Sequence, residues 1–105
     1  MSSNLFEGLD GSTIDLCNKI FRVFVQEQTL PDGRVIRSLA PRSLKEISNS
    51  LDSIAAVSFL SAIEILEKKE LIFRYPHRDL DGLYRYSTNN EAQNYIRGHL
   101  YGDNF

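Results

Sequence analysis

Apolar positions recur first at Ile14, Cys17, Ile20, Phe21, Phe24 and Val25, a helical spacing that predicts a first helix over about 13–28. Ser12 reads as its N-cap, Asp15 suits the positive helix end, and Leu16 and Val23 widen the stripe. Thr29-Leu30-Pro31-Asp32-Gly33 then reads as a turn, because proline presets one dihedral and glycine accepts a positive one. Residues 34–40 alternate loosely and predict a short strand that ends at Pro41. Ser43 and Glu46 form a capping box for a second helix with Leu44, Ile47 and Leu51 facing inward, ending near Asn49-Ser50.

Asp52 or Ser53 caps a third helix running through Lys69. Its helical projection sets Ala56, Phe59, Leu60, Ile63 and Leu66 on one face, taken as inward. Ile54, Ser58, Ser61, Ala62, Ile65 and Lys68 fall on the other. Two alternating runs follow, 71–75 and 83–87, joined by a tip with Asp81-Gly82 as its turn signal, which predicts a β-hairpin. Thr88 and Glu91 make a second capping box. They open a last helix with Ala92, Tyr95, Ile96, His99 and Leu100 on one stripe. Residues 1–11 are polar without a period and are expected to form a flexible N-terminal arm; residues 12–105 are expected to form one domain.

The predicted order is helix-strand-helix-helix-strand-strand-helix. Its most specific stretch is Leu66-Glu67-Lys68-Lys69-Glu70-Leu71-Ile72. That stretch resembles the end of the recognition helix in small bacterial repressors of the multiple-antibiotic-resistance and phenolic-acid types, which usually have glycine at the position of Glu70. Tyr84-Arg85-Tyr86-Ser87-Thr88-Asn89-Asn90-Glu91 is similar to their second wing strand and the helix after it. The resemblance covers roughly residues 13–100 and implies an α+β fold, a winged helix-turn-helix with a small antiparallel β wing and a C-terminal helix. It also implies that the third helix enters the major groove of double-stranded DNA while the wing reaches the backbone. In that arrangement Arg74, His77, Arg78 and Arg85 serve the wing. Arg42 and Lys45 meet phosphates, and Ser53, Ser58 and Ser61 face the bases. Dimerisation through the first and last helices is implied as well, with Tyr95, Ile96 and Leu100 at the homodimer interface.

Composition narrows the classes. Apolar residues make up 42% and charged residues 25%, which is ordinary globular usage and argues against disorder. One cysteine forms no internal bridge, the apolar runs are far shorter than a membrane span, and Met-Ser-Ser-Asn-Leu-Phe-Glu lacks the flank of a signal peptide. A cytoplasmic protein with no membrane partner is the expectation. The net charge of −2 speaks against binding nucleic acid by bulk charge, but it is unevenly spread: residues 1–33 carry −3, residues 34–85 carry +2 and residues 86–105 carry −1. Arg34, Arg37, Arg42 and Lys45 form one basic run, and Arg74, His77, Arg78 and Arg85 form another.

The leading expectation is therefore a DNA-binding transcriptional regulator. A winged helix used for protein–protein contact within a larger assembly is the alternative. It is favoured by the uncharged stretch Ser53–Ile63, which offers none of the side chains that make bidentate base contacts. No catalytic, cofactor or metal signature is present, so no enzymatic role, no cofactor and no metal are expected. Cys17 lies on an apolar stripe, His77 and His99 are 22 positions apart, and the six glycines are scattered.

Overall fold

A computed structural model describes residues 5–51, 56–78 (76–78 as backbone), 84–102 and 105. Helix α1 spans Gly11–Val23. Asp10 caps it, not the expected Ser12: its carboxylate accepts from the Thr13 amide at 2.8 Å and from the Ser12 hydroxyl at 3.1 Å. A carboxylate at this end is favoured by the helix dipole as well as by the two bonds. Those hydrogen bonds, that from Thr13 foremost, hold the Asp10 carboxyl below its usual range.

The first helix stops five residues short of the expected Gln28. Phe24 closes it, its amide turning back to Phe21 and Arg22. Val25–Thr29 then forms strand β1, paired antiparallel with β2 (Val35–Leu39), with Val25 opposite Leu39 and Thr29 opposite Val35. Phe24 and Val25 continue a helical stripe, but Gln26 to Thr29 add no further apolar position to hold a helix down. The tight turn at Pro31-Asp32-Gly33, with Gly33 at φ +91°, brings a pairing partner within reach instead. The Leu30 amide donates to the Arg34 carbonyl at 2.7 Å and closes the loop.

Strand β3 (Arg42–Ser43) leads directly into α2 (Leu44–Asn49), whose capping box is made by Ser43 and Glu46 as expected. Helix α3 spans Ala56–Lys68; its expected caps, Asp52 and Ser53, lie outside the described residues. Strands β4 (Ile72–Arg78) and β5 (Tyr84–Thr88) form an antiparallel hairpin, and β3 pairs with β5 on the far side, so the sheet order is β3-β5-β4. Helix α4 (Asn90–Tyr95) widens into a π-helical turn over Ile96–Tyr101. Asn89 caps α4 through the Ala92 amide, at 2.7 Å. The expected cap, Thr88, is buried at the end of β5 opposite Ile72 and cannot serve.

The fold is a compact α+β arrangement of four helices and two small antiparallel sheets among the described residues. Its core joins Cys17, Ile20 and Phe21 of α1 to Ile47 of α2, Phe59, Ala62, Ile63 and Leu66 of α3, and Ile72, Tyr86, Ala92 and Ile96 beyond. The arm also contributes: Leu5 is buried, and the Phe6 ring packs edge-on against Tyr95 at 5.3 Å. Helix α3 ends in a Schellman turn. The Leu71 amide bonds to the Leu66 carbonyl and the Glu70 amide to the Glu67 carbonyl, both at 2.9 Å. Glu70 takes the left-handed conformation this requires, at φ +61°, where glycine is the unstrained choice.

Candidate interaction surface

The outward face of α3 differs from the one its projection predicts. Ala62 is buried, whereas Ala56 and Leu60, assigned inward, are exposed. Packing on α1 rolls the helix so that Phe59, Ala62, Ile63 and Leu66 form the buried ridge. Solvent therefore meets Ala56, Val57, Ser58, Leu60, Ser61 and Glu64, with Val57 78% and Leu60 53% exposed. No cation stands on α3 before Lys68. Beside this face an open groove of about 510 Å³ runs between α1 and α3, with Leu16, Ala62 and Ile65 among its apolar lining and Asp15 and Lys19 supplying charge.

Three of the arginines assigned to DNA contact, Arg42, Arg74 and Arg85, are engaged within the chain. Arg42 donates from Nε to the Val23 carbonyl at 3.0 Å and lies 3.9 Å from Glu46. Arg85 donates to the Pro41 carbonyl at 3.2 Å and lies 3.5 Å from the same carboxylate. Glu46 thus caps α2 and holds two guanidinium groups. The Ser43 amide, then Arg85 and Arg42, keep its carboxyl below the usual range against the opposing effect of burial. Arg74 donates from Nε to the Tyr86 hydroxyl at 3.2 Å and to Glu67 of α3 at 3.3 Å. Its guanidinium also lies over the Tyr84 ring at 5.5 Å, so it ties the hairpin to α3.

Lys45, Ser58 and Ser61 are exposed. His77 and Arg78 are described as backbone only, and Ser53 lies outside the described residues. Val57, Glu67 and Tyr84 also belong to this surface without having been assigned a role from the sequence, and Leu60 belongs to it although it was assigned inward. Only the distance of Glu67 and Arg74 from each other, seven positions across the helix end, hinted at a link between them.

The residues assigned to a dimer interface serve the chain's own core. Ile96 is fully buried, and Tyr95 and Leu100 are half-buried against the core. The Tyr95 hydroxyl donates to the Asn18 side chain at 2.8 Å, and its ring stacks on His99 at 4.9 Å. Ile96 therefore offers no surface to a partner. Cys17 is buried too, and burial pushes its thiol up to about 11, with the Lys69 charge opposing. Among the described residues no group of three or more His, Cys, Asp or Glu could hold a metal ion, and no helix is long and apolar enough to cross a membrane. No family model, curated protein or solved structure matches this chain.

Proposed function

We propose that the chain is a winged-helix domain whose α3 face docks a protein partner within a larger assembly. The winged-helix reading is supported by the succession α2, α3 and hairpin, and by β3 pairing with β5 so that the hairpin stands beside the two helices. The protein-docking reading rests on one observation. The face that a DNA reader would put into the major groove presents Val57 and Leu60 between serines and Glu64, with no base-reading cation. Exposed apolar groups of this kind favour an interface with another protein and contribute little against phosphate.

DNA binding is the second reading. It is supported by the basic residue types available to phosphate, Lys45, which is exposed on α2, and His77 and Arg78 in the hairpin strand. A photo-crosslinking residue placed at position 60 in cells, followed by mass spectrometry, separates the two. A discrete protein adduct that disappears when Val57→Glu is added supports docking. A DNA adduct, together with salt-dependent duplex binding that Arg78→Glu abolishes, overturns it in favour of the second reading.

A further inference from the structure

The β1–β2 ribbon is a sheet of only two strands, an arrangement that is marginal in isolation.

The edges of the two sheets are defended unequally. Strand β4, at the edge of the three-stranded sheet, contains Pro76, which withholds an amide from any incoming strand. On the outer edge of β1, a two-fold pairing centred on Glu27 would set two carboxylates opposite each other. Strand β2 has neither device. It carries Val35 and Ile36, 46% and 49% exposed, and contains no proline.

Its backbone geometry suits self-pairing. The Leu30 amide bonds to the Arg34 carbonyl and the Ala40 amide to the Phe24 carbonyl, which fixes the alternation along the ladder. By that alternation the Gln28–Ile36 and Gln26–Ser38 pairs bond inward, and the amide and carbonyl of Val35 turn to the outer edge. Charge does not oppose a second copy: Arg34 is held by Asp32 at 2.7 Å and Arg37 by Glu27 at 2.6 Å, within the same ribbon.

We propose that β2 is a homodimerisation edge, on which a second copy of this chain adds its own β2 antiparallel to make a four-stranded sheet. With the two-fold near Ile36, the Val35 amide and carbonyl join the new ladder. Ile36 then meets Ile36 of the partner subunit at a non-hydrogen-bonded position, where side chains approach most closely. This interface is separate from the α3 face and does not depend on what that face docks.

Sedimentation equilibrium of the full chain at increasing concentration tests it. The wild type is expected to rise from 12.0 kDa towards twice that mass. Val35→Pro removes an outward amide and leaves the inward ladder in place, so it should stay at one chain's mass with an unchanged circular dichroism spectrum. Ile36→Lys, at an exposed position, should lose the dimer likewise. In the wild type the Val35 amide should be protected from hydrogen exchange at high concentration and lose that protection on dilution, a readout that needs no variant. A wild type that stays at one chain's mass up to its solubility limit overturns the proposal. So does an Ile36→Lys protein that dimerises like the wild type, or a Val35 amide whose protection is independent of concentration.

Discussion

Replacing Glu70 with glycine should stabilise the domain. Glu70 stands at φ +61° in the Schellman turn that ends α3, with Leu71 and Leu66 buried around it. A left-handed conformation costs a residue with a Cβ roughly 1–2 kcal/mol. Glycine escapes that cost but gives up about 0.5–1 kcal/mol of additional chain entropy on folding. Removing a carboxylate from the negative end of a helix adds about 0.3 kcal/mol in the favourable direction. The exposed side chain leaves no cavity when it goes, and the Glu70 carbonyl keeps its 2.6 Å hydrogen bond from Asn89 Nδ2. The expected net gain is about 1 kcal/mol, or roughly 4–8 °C in Tm for a domain near this size. Urea titration and thermal melts of the wild type, Glu70→Gly and Glu70→Ala measure it. Alanine keeps the left-handed cost, so it should gain only the small charge effect. A glycine variant no more stable than the alanine variant would refute the strain argument.

Two further outcomes follow from buried and hydrogen-bonded groups. Cys17 should react with an aromatic disulfide reagent only as fast as the domain opens, and at once in denaturant, because its thiol is buried and raised to about 11; fast labelling of native protein would contradict this. Glu46→Ala should cost about 1–2 kcal/mol in urea titration, because it removes a capping bond and the partner of two arginines. The folded-state carboxyl of Glu46 lies below its unfolded value, so its contribution is complete above about pH 4.5 and disappears as pH falls through the lower folded value. The alanine variant should therefore show a shallower loss of stability with acid than the wild type.

Much of the local structure could be read from the chain because its signals lie within a few residues of one another. Ser43 and Glu46 are three positions apart, and the structure has them bonded as a capping box. The turn at Pro31-Asp32-Gly33 and the alternation on either side of residues 76–82 likewise identified β2, β4 and β5. Strand β1 was hidden because Phe24 and Val25 satisfy a helical stripe as readily as a strand. Only pairing with Val35–Leu39, ten or more positions further along for most of its length, decides between them.

The interaction surface was less legible. The sequence located the basic residues but not their partners: Arg42 and Arg85 both converge on Glu46, and Arg74 on Glu67 and Tyr86. Which side of α3 faces water was also undetermined, since Leu60 and Ala62 are both apolar and lie on opposite sides of the helix. The volume available against α1 selects Ala62 for burial and leaves Leu60 outside. The last helix follows the same logic, with Ile96 taken into its own core and not into an interface. Spacing and turn chemistry, which act over a few residues, thus set most of the elements and the Ser43–Glu46 cap. Rotation, charge pairing and exposure depend on neighbours distant in the chain, and tertiary packing alone determined them.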